Sequence, residues 1–265
     1  YKSTGSWYHV KNEQGIFYEC RLKGKFRIQG IKSTNPVAVG DVVHFEVDKK
    51  GDEEFGVIYN IEERNNYIIR KSVNLSKQTQ IIAANIDLAF LLITLNNPPT
   101  FTAFIDRFLV NSEAYGIKTI LLFNKIDSCS ENELGEIKSL VHLYRSIGYD
   151  CVEISAKSGT NIQKVKALMK NKVSVFSGHS GVGKSTLVNS IDPSIKLKTK
   201  EISDQHLQGQ HTTTFAEMFD LSFGSQIIDT PGIKGFGMFE IDKEELSGYY
   251  PEFFELKEYC KFNNC

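Results

Sequence analysis

Residues Gly178-His179-Ser180-Gly181-Val182-Gly183-Lys184-Ser185 fit the pattern G-x-x-x-x-G-K-[ST] in full. The chemistry such a loop offers is to hold a phosphate chain. Glycines at these spacings let backbone N–H groups converge on phosphate oxygens, at the positive end of a helix that opens at the lysine. In that role Lys184 contacts β- and γ-phosphate oxygens and neutralises developing charge, Ser185 holds Mg²⁺, and Thr186 completes the loop. A glycine-rich turn with a chance Lys-Ser is the bland alternative. Context answers it, because an apolar strand at 173–176 runs into the loop and a helix at 184–190 leaves it.

Other short segments offer complementary chemistry. Asp229-Thr230-Pro231-Gly232 closes a strand at 226–229. A carboxylate at such a strand end binds Mg²⁺ through water, and the Gly232 N–H reaches a γ-phosphate. By itself an Asp-x-x-Gly is a common turn; downstream of a phosphate loop it carries more weight. Asn124-Lys125-Ile126-Asp127 follows an apolar strand at 120–123. The Asp127 carboxylate can accept two hydrogen bonds from the N1–H and exocyclic amine of guanine, a pairing adenine does not offer. Asn124 and Lys125 would brace this loop and cover the base. The competing reading makes Asp127 only the N-cap of the helix that follows. Ser155, Ala156 and Lys157 follow a strand at 151–154 and can present a backbone N–H to the guanine O6. Gly209-Gln210-His211-Thr212-Thr213-Thr214 lies between the phosphate loop and Asp229. A threonine in a loop there completes Mg²⁺ coordination only when a γ-phosphate is present, which makes it a switch. Thr213 is the preferred ligand, with Thr212 and Thr214 left open; a threonine-rich strand entrance is the plain alternative.

These loops need elements to position them. From about residue 85 onward, apolar runs at 86–95, 120–123, 151–154 and 173–176 alternate with helical patterns at 104–115, 132–147 and 162–169. Buried strands alternating with helices of that length mean a parallel sheet covered on both faces. Segments 215–221 and 226–229 read as a hairpin. The first 70 or so residues differ, with short strands at 6–10, 16–22, 25–28, 42–47 and 57–62 punctuated by glycine turns, as in a small barrel such as an OB-fold. Lys2, Lys11, Arg21, Lys23, Lys25, Arg27 and Lys32 face only Glu13 and Glu19 there, with Trp7, Tyr8, Phe17, Tyr18 and Phe26 interleaved. A solvated barrel face accounts for that pattern; RNA contact by stacking and phosphate pairing is the sharper reading. The chain of 265 residues has 31 basic and 32 acidic residues, so any basic surface is local, and net charge −1 alone announces no nucleic-acid partner. With 41% hydrophobic and 24% charged residues it is not a disordered chain. No stretch reaches the roughly 20 apolar residues of a membrane helix. The first residues lack the apolar core of a secretory signal, and the initiator Met is missing. Cys20, Cys129 and Cys151 are scattered and read as reduced thiols.

In chain order the loops run 124–127, 155–157, 178–186, 212–214 and 229–232. They resemble the five signature loops of the GTPases in rotated order, since an ordinary GTPase begins with the phosphate loop. The chain therefore looks like a circularly permuted GTPase. The preceding barrel and the terminal Cys260 and Cys265 narrow the resemblance, over essentially the whole length, to the ribosome small-subunit-dependent GTPase A (RsgA) family. That resemblance implies a multi-domain protein: an OB-fold at 1–72 that binds ribosomal RNA, a permuted α/β P-loop GTPase core at 73–242, and at 243–265 the start of a zinc-binding domain. It implies GTP hydrolysis to GDP and phosphate with Mg²⁺, slow alone and stimulated by the small ribosomal subunit during late subunit maturation, in a cytoplasmic, monomeric protein with no membrane partner. Lys184 and Thr213 are its expected catalytic residues. Cys260 and Cys265 match the first two zinc ligands of the family. Two thiolates do not close a tetrahedral site, so the remaining ligands are expected beyond the last residue, in a longer native chain.

Many GTPases keep a water-orienting Gln immediately after the Asp-x-x-Gly; here Ile233 stands there. An aliphatic side chain orients no water, so intrinsic hydrolysis is expected to be slow, with the missing group supplied by a rearranged loop or by the ribosome. His211 and Glu240 are candidates, and a plain surface position is the competing reading for each. The alternative function is a GTP-gated RNA-binding module with little hydrolysis of its own, and a plain ATPase is opposed by Asp127. Because the chain leaves the core just after 229–232, nucleotide state is expected to move the C-terminal unit relative to the barrel.

Overall fold

The computed structural model describes residues 1–23, 36–50, 53–71, 79–195, 216–229 and 245–256, with 259 and 261. Near the N-terminus the strands are β1 (Lys2–Ser3), β2 (Tyr8–Lys11), β3 (Phe17–Leu22), β4 (Val43–Lys50) and β5 (Glu53–Ile61). β1, β2 and β3 pair antiparallel, β3 runs parallel to β5, and β4 returns antiparallel on β5. Tyr8, Cys20, Val37 and Ile58 fill the small core between them. Gly56 is required at its position, because a Cβ there would lie 2.3 Å from the Cys20 sulfur. The expected strand at 25–28 lies outside the described residues.

A hairpin that the sequence reading lacked comes next: β6 (Tyr67–Lys71) antiparallel to β7 (Thr79–Ala84), with a register irregularity between Ile68 and Ile69. It spans the expected 72/73 division. The buried Asp41–Arg64 pair stands beside it, with Arg64 Nε 2.6 Å from Asp41 Oδ1 and side chains 5% and 0% exposed for Arg64 and Asp41. Asp41 also accepts the Ala38 N–H at 2.8 Å, and Arg64 donates to the Pro36 carbonyl at 2.9 Å. Residues 37–40 are thereby pressed on β7, where the Ala84 N–H donates to the Val39 carbonyl at 2.8 Å. Gly40, at φ +93, leaves no room for a side chain, since a Cβ would meet the Ala84 carbonyl oxygen at 2.1 Å.

The remaining strands are β8 (Leu88–Ile93), β9 (Lys118–Phe123), β10 (Asp150–Glu153), β11 (Val173–Ser177), β12 (Glu217–Leu221) and β13 (Ser225–Asp229). In the sheet they lie in the order β10-β9-β8-β11-β13-β12, all parallel except the β12–β13 hairpin. The helices are α1 (Thr102–Ala114), α2 (Glu131–Ser146), α3 (Ile162–Met169) and α4 (Lys184–Ile191). β8 explains how the layers assemble. Ala89, Leu91 and Ile93 pack with Ile105, Phe108 and Leu109 of α1 and Ile137, Val141 and Tyr144 of α2. Leu88, Phe90 and Leu92 point the other way, to Val165 and Met169 of α3 and Leu187, Val188 and Ile191 of α4. Successive strand residues face opposite sides, so a continuous apolar run is what a doubly covered strand demands. Each buried Leu, Ile, Val, Phe or Met among them contributes roughly 1.5–3 kcal/mol.

β1 also pairs antiparallel with β12 through Lys2 and Glu217, which joins the N-terminal strands and the central sheet into one 11-stranded sheet. A turn at Leu246–Tyr249 and a short helix, Pro251–Leu256, follow. Among the described residues no helix is long and apolar enough to cross a membrane.

Candidate nucleotide site

Parallel strands in register bring their carboxyl ends to one edge. Ile93 pairs with Phe123, Phe123 with Glu153, and Leu91 with Ser177. The loops holding Asn124–Asp127, Ser155–Lys157 and Gly178–Ser185 therefore emerge side by side, with Asp229 ending the next strand. Ligands of open α/β sheets bind at this edge.

The phosphate loop has the shape its glycines permit. Gly178, Gly181 and Gly183 have φ of +142°, +85° and +100°. A Cβ at Gly178 would lie 2.7 Å from the Leu92 carbonyl oxygen, and one at Gly183 would lie 2.6 Å from Asn124 Nδ2. Val182 is buried, while Ser180 and Gly181 are exposed on the outer surface of the loop. The Lys184 ammonium donates to the carbonyls of Gly178 and His179 at 2.5 and 2.8 Å, so the loop itself aims it. Ser185 and Thr186 lie in the first turn of α4, half-buried and exposed respectively. Burial, and then the Lys184 charge, hold the His179 imidazole below its usual pKa and so neutral at physiological pH.

Asn124 is 2% exposed and ties two loops together. Its Nδ2 donates to the Val182 carbonyl at 2.8 Å, and its Oδ1 accepts the Ala156 N–H at 3.0 Å. It is a brace between the phosphate loop and the 155–157 loop. Lys125, left-handed at φ 68, donates to the carbonyls of Gly181 at 2.8 Å and Asn97 at 2.5 Å. Asp127 is exposed, and its Oδ1 accepts the hydroxyl of buried Ser155 at 2.5 Å, which sets the carboxylate's direction. The Ser155 oxygen also accepts the Ser158 N–H at 3.0 Å, which bends the loop past Ala156 and the exposed Lys157. Asp127 does not cap α2. Ser130 does, in a capping box: its hydroxyl accepts the Glu133 N–H at 3.4 Å and the Glu133 carboxylate accepts the Ser130 N–H at 2.6 Å.

Burial, and then the like charge of Glu217, push the Asp229 carboxyl above the usual aspartate range, and Lys184 pulls it back. Asp229 therefore lies within electrostatic reach of Lys184. A serine hydroxyl at the start of α4 and a carboxylate at the end of β13 are hard oxygen donors of the kind Mg²⁺ takes, so the residues present fit that ion.

The sequence reading located β8 and α1 but gave the segment joining them no part in the site. Beyond Asn97, this stretch places Pro98 within 3.4 Å of where a Gly181 Cβ would be, and Phe104 against His179. The turn residues Asn96-Asn97-Pro98-Pro99, directly after an apolar strand, were the available signal. Thr212, Thr213, Thr214, His211, Gly232, Ile233, Glu240, Cys260 and Cys265 all lie outside the described residues. Among the described residues no group of three or more His, Cys, Asp or Glu is placed to hold a metal ion. Cys20, Cys129 and Cys151 are free thiols, as expected.

Comparison with known proteins agrees with this edge. Residues 61–239 match the family model described as RsgA GTPase, and residues 1–58 match the RsgA N-terminal domain. The chain is 68% identical, over 265 residues, to the small ribosomal subunit biogenesis GTPase RsgA of Christiangramia forsetii, covering all of this chain and 84% of that one. It superposes on the crystal structure of YjeQ from Thermotoga maritima with a TM-score of 0.76 and 34% identity, over 98% of this chain and 82% of that one. It is likewise similar to YloQ, described as a circularly permuted GTPase, with a TM-score of 0.74 and 29% identity over 100% and 80% of the two chains. The rotated order of loops around one sheet edge and a family model spanning most of the chain lead to one assignment: this chain belongs to the RsgA GTPase family.

Proposed function

We propose that this chain hydrolyses GTP to GDP and phosphate while bound to the small ribosomal subunit during that subunit's biogenesis. The observation that carries the reading is the Asn124 brace, which couples a phosphate loop to a guanine-type loop across a permuted sheet. Asp127, aimed by Ser155, reads the guanine N1–H and amine, and the Ala156–Lys157 backbone reads O6. Asn124 and Lys125 hold these loops on the phosphate loop, and the N–H groups from Gly178 to Thr186 cradle the phosphates. Lys184 stabilises charge on the β- and γ-oxygens as water attacks. Ser185, Asp229 and Thr213 would hold Mg²⁺, which would supply further positive charge at the phosphates, and the Gly232 N–H would meet the γ-phosphate.

In the same proposal residues 1–72 are an OB-fold that contacts ribosomal RNA, residues 73–242 the GTPase core, and residues 243–265 the start of a zinc-binding unit with Cys260 and Cys265 as two ligands. The local excess of Lys and Arg in the first 35 residues supports RNA contact. Among the N-terminal strands the Arg21 guanidinium carbon lies 3.8 Å from the Trp7 ring centroid, a cation-and-ring pairing of the kind that supports contact with bases and phosphates. The protein works as a cytoplasmic monomer.

The test is GTP turnover by the full chain, measured with and without small ribosomal subunits. Slow turnover alone and faster turnover with subunits is expected. No turnover under either condition refutes hydrolysis and leaves a GTP-gated RNA-binding module. Asp127→Asn should shift preference toward xanthosine nucleotides, and unchanged GTP selectivity would remove Asp127 from base recognition.

A further inference from the structure

The pattern G-x-x-x-x-G-K-[ST] leaves position 179 open, and here a histidine fills it with an aromatic partner from another element. The rings of His179 and Phe104 have centroids 4.1 Å apart and planes inclined by 33°. Phe104 sits in the first turn of α1, and α1 is itself fixed. Ile105, Phe108 and Leu109 are buried in the main core, and the Tyr144 hydroxyl ties Asp106 to α2 at 2.8 Å. The His179 carbonyl accepts from Lys184 Nζ at 2.8 Å. The residue whose ring is clasped by α1 is thus the residue whose peptide aims the lysine. The same β8–α1 segment reaches the loop's other shoulder, where Lys125 Nζ joins the Asn97 and Gly181 carbonyls. Residues 97–104 thus meet the phosphate loop at both His179 and Gly181.

We propose that His179 is a positioning residue for γ-phosphoryl transfer: its ring, packed against Phe104, sets the carbonyl that orients Lys184 toward the β- and γ-phosphates. The role rests on the GTPase reading above and belongs to the side chain, beyond the backbone contacts that any residue at this position provides. Charge on the γ-phosphoryl oxygens develops as the bond to the leaving oxygen breaks, so a loosely held lysine costs more in the transition state than in the bound ground state. The loss appears in kcat rather than KM. GDP has no γ-phosphate, and its affinity changes least.

The experiment compares full-length wild type, His179→Ala, Phe104→Ala, the double variant and His179→Phe, reading kcat and KM for subunit-stimulated GTP turnover and the Kd of a fluorescent GDP analogue. Each alanine variant should lower kcat about three- to tenfold, the range an aromatic pair corresponds to, with KM and GDP affinity within about twofold. The double variant should be no worse than the weaker single, as expected for one shared contact. His179→Phe, which keeps a ring and removes its nitrogens, should restore kcat. Wild-type turnover by His179→Ala, single losses that multiply in the double variant, or His179→Phe as slow as His179→Ala would each overturn the proposal. Phe104→Leu serves with the same criteria if Phe104→Ala does not fold. Absence of turnover in the wild type would refute the hydrolysis reading instead; the coupling is then read in the affinity for a transition-state mimic, GDP with aluminium fluoride, under the same criteria.

Discussion

Replacing Asn124 with Ala removes both sides of the brace at once. The Val182 carbonyl and the Ala156 N–H would each lose a partner, at residues that are 0% and 6% exposed. A buried polar group left unpaired costs about 1–3 kcal/mol, so two of them cost roughly 2–6 kcal/mol. Rearranged water at the mouth of the site moderates that figure toward its lower half. At about 2–4 °C per kcal/mol for a core of this size, 3 kcal/mol lowers Tm by roughly 6–12 °C. The phosphate loop and the base loop also lose their mutual register, so GDP affinity should fall by at least about tenfold, as expected when two parts of one ligand are held by misaligned loops. Asn124→Asp is a sharper control. It keeps the acceptor for Ala156 and sets a carboxylate oxygen against the Val182 carbonyl, and should be no better than Ala. The assays are thermal denaturation without ligand and titration with a fluorescent GDP analogue. An Asn124→Ala protein that melts with the wild type and binds GDP as tightly would refute the brace.

Further predictions concern other named contacts. Asp41→Ala strands the buried Arg64 guanidinium and should cost about 3–5 kcal/mol, seen as a large fall in Tm; Tm unchanged would show that the pair is not holding residues 36–41 to the hairpin. Asp192 is nearly fully buried. Burial alone would raise its pKa, but hydrogen bonds from the Ser222 N–H and from the Ser194 hydroxyl and N–H hold it well below the usual aspartate value. A depressed folded pKa means that this stability is present above the unfolded value of about 3.9 and is lost as pH falls through it toward the folded value. Asp192→Asn should therefore cost about 1.5–3 kcal/mol at pH 7, and the difference in urea midpoint from wild type should shrink markedly near pH 3. An equal difference at both pH values would contradict that assignment.

The loops were legible in the sequence because the chemistry of each is local. A phosphate loop needs glycines within a few residues of a lysine, and an apolar run before it marks a strand that delivers it to a sheet edge. The same logic located the parallel strands and α1–α4, with ends displaced by a residue or two. α2 starts at Glu131 because Ser130, not Asp127, caps it. The β6–β7 hairpin was less legible, since its short runs 67–71 and 79–84 carry no turn signature that distinguishes them from linker.

What the chain determined by itself was the set of loops and their rotated order, and with them the family. Tertiary structure alone decided how the loops work together. Asn124 meets Val182 and Ala156 across sequence separations of 58 and 32 residues, and Phe104 meets His179 from a different helix. No periodicity encodes such contacts. They arise because parallel pairing in register sets the carboxyl ends of the strands on one edge, where side chains from separate loops satisfy the buried polar groups that no single loop can satisfy alone.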